Sequence, residues 1–366
     1  MNTTGYIVWI AVNVAWFVLL TLIQYPLRKR RLIPLRIVLI VLKLVAALGV
    51  AYEVMVGEAD FLYRFDLYIA PLYVALCGDT VGDILTLPVV IARKRKKNTA
   101  IQVVVSALLT IAYLVFGTAN MQYIVPNRLS YSSGKLSDTH KFVFLSDLHV
   151  GSAQSEEIIR GALFRMTMES PEFILLGGDI VDEYTTKEEM EHIFAMFGAL
   201  DVPVYFIYGN HDRQPAGDKV GGRTFSDEEL EAAALGNGVK ILDDEWVEVA
   251  SDLVLFGRDD ITHADRKALS DIPARPSGKY VIMVDHSPYQ KEDITNSGAD
   301  LQLSGHTHAG QIFPLKTLYS LAGYDAFGSY HYGDTDLYVS SGIAGWSFPF
   351  RSEEGCRYEV VTLKPQ

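Results

Sequence analysis

Cysteine is nearly absent: the chain has two in 366 residues, Cys77 and Cys356. Neither sits in a CxxC pair, which excludes a thiolate metal site and a disulfide framework, so both read as free thiols. Internal repeats and low-complexity segments are also missing. No Lys or Arg precedes the first apolar stretch, so that stretch does not read as a secretory signal. Positive charge is scarce in the later part of the chain. Residues 100–366 hold 20 Lys and Arg against 38 Asp and Glu, whereas residues 1–99 hold 12 against 6. A unit that acidic repels phosphate backbones, which disfavours a nuclease and any nucleic-acid partner. Nothing marks a protein partner either.

What the first third has is apolar residues. Four stretches, Tyr6–Tyr25, Ile33–Met55, Leu67–Ala92 and Thr99–Asn120, each approach the roughly 20 residues needed to cross a bilayer. Arg28–Arg31 follow the first stretch and Arg93–Lys97 the third, while Glu58 and Asp60 lie between the second and third. By the positive-inside rule both basic loops face the cytoplasm, and everything after the fourth span lies outside. Lys43, Asp79 and Asp83 fall inside the spans at similar depths. The depths predict that Lys43 pairs with one or both carboxylates, because an unpaired charge in hydrocarbon costs several kcal/mol.

Length suggests two units, and the patterning agrees. Residues 1–121 read as a four-span membrane region, 122–140 as a linker rich in Ser with Pro126 and Gly134, and 141–366 as a catalytic domain. In that domain, strand-like runs at Lys141–Ser146, Phe173–Gly177 and Val204–Tyr208 alternate with helical patterns at Glu156–Met168 and Lys187–Phe197. This alternation predicts a βαβ layer. Later runs at Ile241–Ala250, Leu253–Gly257, Tyr280–Val284, Leu301–Ser304, Leu337–Ser340 and Tyr358–Leu363 have fewer helices between them. Two sheets packed face to face, with helices outside, accommodate the whole.

Five short motifs close apolar runs in this domain: Asp147-Leu-His149, Gly178-Asp-Ile-Val-Asp182, Gly209-Asn-His-Asp212, Asp285-His-Ser-Pro288 and Gly305-His-Thr-His308. They hold five of the nine histidines. Ligands of open α/β sheets bind beyond the carboxyl ends of the strands, so the series delivers its polar residues to one edge. Extended backbone would point Asp147 and His149 the same way, and likewise His306 and His308. With Asp179, Asn210 and His286 these make seven oxygen and nitrogen donors. That is too many for one four-coordinate ion, and the mixture without thiolate suits Mn, Fe or Zn. Singly, each motif also fits a turn or a surface loop. His140, His192 and His263 read as surface residues, and His331, between Tyr330 and Tyr332, reads as an aromatic loop contact rather than one that approaches substrate.

The order and spelling of the motifs resemble the calcineurin-like metallophosphoesterase superfamily, over roughly residues 139–364. Ser304-Gly-His-Thr-His-Ala-Gly-Gln311 looks closest to its bacterial membrane-associated branch, although that branch usually has glycine where this chain has Ala309. The resemblance implies an α/β fold, a four-layer αββα sandwich, here preceded by the transmembrane region. It also implies two divalent ions. Asp147, His149 and His308 would hold one, Asn210, His286 and His306 the other, with Asp179 bridging and a hydroxide between the ions attacking phosphorus. His211 would serve the leaving oxygen, with Asp182 orienting its ring. Asn210 and Arg351 are candidate contacts to substrate phosphate.

The expected activity is hydrolysis of phosphoesters, in particular diesters or pyrophosphates, lipid-linked substrates included because the spans hold the pocket near headgroups. Two other readings stay open at this point: a silent metal- or phosphate-binding sensor, and a transport-coupled membrane protein.

Overall fold

A computed structural model describes residues 3–24, 33–56, 66–92, 98–213, 223–273 and 276–366. The loop charges that set the expected topology, Arg28–Arg31, Glu58, Asp60 and Arg93–Lys97, lie outside the described residues. The chain divides into a unit of residues 1–120 with 347–352, and a unit of residues 121–346 with 353–366.

The first unit consists of α1 (Thr3–Gln24), α2 (Ile33–Val56), α3 (Asp66–Ala92) and α4 (Asn98–Gln122). All four are long and apolar enough to cross a membrane. Two thirds of the α3 window is buried, against about a fifth in each of the others, which makes α3 the helix around which the rest pack. Outward-facing Ile7, Val14, Leu22, Val45, Leu108 and Val115 are exposed, as lipid-facing residues are. Small residues let α3 and α4 approach closely. A Cβ on Gly82 would stand 2.3 Å from Ser106 Oγ, and one on Gly78 would meet Thr110.

The pairing expected for Lys43 is present. Its Nζ lies 2.9 Å from Asp79 Oδ2 and 2.6 Å from Asp83 Oδ2. Gln24 adds a bond from its Nε2 to Asp79 at 2.7 Å, and Arg36 lies 3.3 Å from Asp83 Oδ1. Two cations thus face two buried carboxylates. The same unit takes in the distant segment 347–352. There Phe348 stacks on Trp9 with ring centroids 5.9 Å apart, and Tyr113 meets the Phe350 face edge-on at 5.2 Å. Main-chain bonds join Arg351 N to Gly117 O at 3.0 Å and Asn120 Nδ2 to Arg351 O at 3.2 Å.

The second unit has twelve strands and five helices among its described residues. The strands are β1 (Ile124–Ser133), β2 (His140–Leu145), β3 (Ile174–Gly177), β4 (Val204–Ile207), β5 (Lys240–Ile241), β6 (Glu245–Glu248), β7 (Leu253–Gly257), β8 (Tyr280–Val284), β9 (Leu301–Ser304), β10 (Gly328–Tyr332), β11 (Thr335–Val339) and β12 (Cys356–Pro365). The helices are α5 (Glu156–Met168), α6 (Lys187–Gly198), α7 (Asp227–Gly236), α8 (Lys291–Asn296) and α9 (Leu315–Leu321). One sheet runs β1-β12-β2-β3-β4-β5 and the other β10-β11-β9-β8-β7-β6.

Alternation along β2 shows how the layers arise. Val143 and Leu145 pack with Ile159 and Met166 of α5 and Phe194 of α6, whereas Phe142 and Phe144 pack against Leu255, Ile282 and Leu303 of the opposite sheet. Successive strand residues face opposite ways, so a strand apolar at every position is buried on both faces. On the outer face of the second sheet, Ile294 of α8 covers Leu337 and Val339. The result is the expected four-layer αββα sandwich.

Two expectations change. The stretch 122–140 is not simply a linker, because β1 occupies Ile124–Ser133 and pairs in parallel with β12. It looks like a loop in sequence because it is an edge strand, where half-exposed polar residues and Pro126 are tolerated. The run Ile241–Ala250 is not one strand. It divides into β5 and β6, which belong to different sheets, with Asp244 in the left-handed region at φ 52° between them.

Candidate metal centre

Each of the five motifs follows a strand end: β2 for Asp147 and His149, β3 for Asp179 and Asp182, β4 for Asn210 and His211, β8 for His286, β9 for His306 and His308. The neighbours β2, β3 and β4 run parallel, as do β8 and β9, so the motifs emerge at one edge. The backbone is not extended there, contrary to the expectation for the two i,i+2 pairs. Asp147, His149, Asp179, His306 and His308 have φ values of 58°, 44°, 54°, 71° and 48°. Asp and His tolerate this region better than most residues, yet each instance stores strain, about 1–3 kcal/mol by general experience. Turns, not pleats, aim these side chains. Glycine makes room for them, since a Cβ on Gly209 would meet Asp179 Oδ1 at 2.2 Å.

Three overlapping groups of donors result, one of which joins His149 and Asp179 to His211. Asp147, His149 and His308 converge within 4.8 Å, as do Asp179, His286 and His306. In the first, His149 Nε2 and His308 Nε2 lie 3.2 Å apart, and His308 Nε2 is 3.5 Å from Asp147 Oδ1. In the second, His286 Nε2 lies 2.9 Å from Asp179 Oδ2, and His306 Nδ1 is 2.8 Å from Asn210 Oδ1. Asp179 joins the groups, because the same Oδ2 is 3.8 Å from His149 Nε2. Two outer ring nitrogens are held by main-chain carbonyls, His286 Nδ1 by Gly177 O at 2.8 Å and His308 Nδ1 by Ala344 O at 3.3 Å, while His149 Nδ1 lies 3.4 Å from Asp182 Oδ2 without a hydrogen bond to it. Such outer contacts fix ring orientation in metal sites.

Imidazole nitrogens 3.2 Å apart in a buried pocket beside a carboxylate fit a shared divalent cation. The oxygen and nitrogen donors fit Mn, Fe or Zn. Electrostatics agree. Burial alone would raise the Asp179 carboxyl, but His286, His211 and His149 around it hold it well below the usual carboxylate range. Burial and the charge of His286 push His306 down to about 4, leaving a neutral ring able to donate a lone pair.

His211 stands beside these donors, its ring edge-on to His149 with centroids 5.0 Å apart. Its main-chain nitrogen donates to Asp179 Oδ1 at 2.9 Å. Its ring partner is not Asp182: Nδ1 lies 2.8 Å from Glu183 Oε2. Burial opposes its charged form, but the Asp179 charge and the Glu183 bond outweigh this and bring it up to about 9. Arg351 is fully buried and groups with the helical unit. Several positioning residues had no role assigned from sequence, although Asp212 and Asp285 lie within two of the motifs. Asp212 accepts four main-chain N–H bonds, Arg223 grips the carbonyls of His211 and Asp212 at 3.2 and 3.1 Å, and Arg266 forks onto Asp285 at 3.1 and 2.6 Å. Glu183 was detectable only as the acid next to Asp182.

Residues 140–310 match the model of the calcineurin-like phosphoesterase family. Over these residues the domain is similar to that family. An uncharacterized metallophosphoesterase of Helicobacter pylori (strain J99 / ATCC 700824) is 33% identical over 239 residues, covering 63% of this chain and 62% of its own length. This chain therefore spans less than two thirds of that relative. The phosphodiesterase YaeI of Escherichia coli (strain K12) is 28% identical over 242 residues, 61% of this chain and 81% of its own. A transmembrane protein with metallophosphoesterase domain from Danio rerio is 25% identical over 326 residues, 80% of this chain and 70% of its own. That last alignment reaches beyond the phosphoesterase domain into the region of the apolar helices.

Proposed function

We propose that the protein is a membrane-anchored, binuclear-metal phosphoesterase that hydrolyses phosphodiester or pyrophosphate bonds, with lipid-linked substrates the class its anchoring favours. The observation that carries this reading is the Asp179 carboxylate, shared between two groups of ring nitrogens. Asp147, His149 and His308 would hold one ion, Asn210, His286 and His306 the other, and Asp179 both. Such ions acidify a water and neutralise phosphoryl oxygens.

The chain's own residues do the rest. His211, beside the donors, hands a proton to the leaving oxygen, and the Asn210 amide orients a phosphoryl oxygen. A proton donor distinguishes this reading from a silent sensor, which needs none. The name of the Escherichia coli relative supports diesters. The acidic domain supports neither DNA nor RNA as substrate. The charge of the basic loops supports a phosphoesterase domain outside the cytoplasm under the positive-inside rule, and reporter fusions after residue 135 test this.

The test uses the full chain purified in mild detergent. With Mn²⁺ it hydrolyses a chromogenic phosphodiester, and His308→Ala or chelation removes that activity. A lipid extract scored for released headgroup or phosphate then decides the substrate class. Activity retained in His308→Ala would refute the metal assignment.

A further inference from the structure

Adjacent carboxylates in the second motif lie beside different histidines. Asp182 Oδ2 faces His149 Nδ1 at 3.4 Å, and its Oδ1 accepts from Tyr184 N at 2.8 Å. Glu183, next along the chain, directs Oε2 to His211 Nδ1 at 2.8 Å. All four residues are buried.

The backbone reinforces the second pairing. Glu183 O accepts from Arg223 N at 2.9 Å, while the Arg223 guanidinium reaches His211 O at 3.2 Å. One arginine therefore ties the main chain of Glu183 to that of His211. The Trp346 ring, 5.7 Å from the His211 ring, and the His149 ring at 5.0 Å limit its rotation. With Nδ1 turned to Glu183, Nε2 is the nitrogen turned away from it.

We infer that Glu183 is the positioning residue for His211 in phosphoester hydrolysis, and that Asp182 instead supports the metal-binding ring of His149. This reassigns the orienting role that the motif pattern gives to Asp182. It rests on the phosphoesterase reading. A histidine that protonates a leaving group matters most when that group is a poor one. Losing its positioning partner therefore steepens the dependence of rate on leaving-group quality. Losing support behind a metal-binding ring weakens metal affinity, typically about 10–100-fold.

The experiment compares wild type, Glu183→Gln, Glu183→Asp and Asp182→Asn as full chains in detergent. Rates are measured on Mn²⁺-loaded protein with diesters whose leaving groups run from p-nitrophenol to simple alcohols. Mn²⁺ affinity is measured separately by competition with a fluorescent chelator.

For Glu183→Gln we expect kcat about 10–100-fold lower on the poorest leaving groups and a much smaller loss on p-nitrophenol, with KM and Mn²⁺ affinity near wild type. Glu183→Asp restores part of the lost rate. Asp182→Asn weakens Mn²⁺ binding and leaves the leaving-group dependence unchanged once saturated. A uniform loss across leaving groups in Glu183→Gln, or a steeper dependence in Asp182→Asn, overturns the assignment. Wild type that hydrolyses no member of the series refutes the phosphoesterase reading instead. The division of roles is then judged on Mn²⁺ affinity, and equal weakening by both substitutions overturns it.

Discussion

The Asp212 carboxylate accepts a hydrogen bond from the main-chain nitrogen of Asp179 at 2.6 Å. It also accepts from Gly209 N at 2.8 Å and from Ile180 N and Val181 N at 3.0 Å each. One side chain therefore fastens the turn carrying Asn210 and His211 to the turn carrying Asp179, and both turns bear ligands of the proposed centre.

Replacing Asp212 by Ala leaves those four N–H groups without their acceptor. Each buried group left unpaired costs about 1–3 kcal/mol, less whatever water recovers. We expect Asp212→Ala to lose at least ~3 kcal/mol of stability. Mn²⁺ affinity should fall as well, although Asp212 touches no ion in the proposed scheme. Thermal unfolding with and without Mn²⁺ checks both, and unchanged unfolding removes Asp212 from this role.

The packing of Phe348 and Phe350 on Trp9 and Tyr113 sets a second expectation. A chain cut to residues 122–366 keeps the two phenylalanines and loses their partners. Each exposes up to about 150–250 Å² of aromatic surface. That fragment should elute as aggregate in size-exclusion chromatography, and Phe348→Ser with Phe350→Ser should return it to monomer. A monodisperse fragment with both phenylalanines intact contradicts this account.

Stability should depend on pH through His140, whose Nδ1 lies 2.8 Å from Glu172 Oε2 and whose Nε2 lies 2.9 Å from Asp252 Oδ1. Burial opposes its charged form, but the two carboxylates win and raise the ring above its ordinary value. A raised folded pKa stabilises fully below the unfolded value, about 6.5, and that contribution disappears as pH rises through the folded pKa. Asp252 behaves oppositely. Burial would raise it, yet bonds from Ser137, His140 and Asp138 hold it well below the carboxylate range. Its contribution is present above about pH 4 and lost as pH falls toward its folded value. The melting-temperature gap between wild type and His140→Gln should be wide at pH 5.5 and narrow by pH 9. A gap independent of pH contradicts the pairing.

In the helical unit, Lys43→Leu removes the cation shared by both carboxylates, leaving Gln24 beside Asp79 and Arg36 beside Asp83. Breaking a buried pair on one side costs about 3–5 kcal/mol, whereas replacing both sides by apolar groups is often neutral. Lys43→Leu should therefore lower the yield of folded protein, and adding Asp79→Leu should recover part of it. Equal yields for wild type and Lys43→Leu refute a packing role.

The outline of the phosphoesterase domain is legible because its central strands carry apolar runs such as Phe142–Leu145 and Ile174–Leu176, and the pattern gives α5 its observed bounds. β1 was hidden by its edge location, where Pro126 and serines read as a loop. The seven residues proposed as donors can be named from order and spelling, since chemistry restricts which residues hold a cation, and the fold brings six of them into the ligand groups. How they are aimed cannot be read there. The left-handed turns at Asp147, His149 and His308 depend on tertiary bonds, such as those that Asp179 O accepts from Leu148 N and His149 N. The choice between Asp182 and Glu183 was likewise invisible. Neighbours in sequence leave a turn in different directions, and only the folded turn decides which one meets His211.

The most direct test of the central claim is a titration of the full chain with Mn²⁺, following p-nitrophenol release from a bis-aryl phosphodiester against ions bound per chain. The account predicts a rate that levels off at two ions per chain, with Asp179→Asn inactive throughout. Protein that binds two ions and releases no product, or that is fully active in Asp179→Asn, contradicts it.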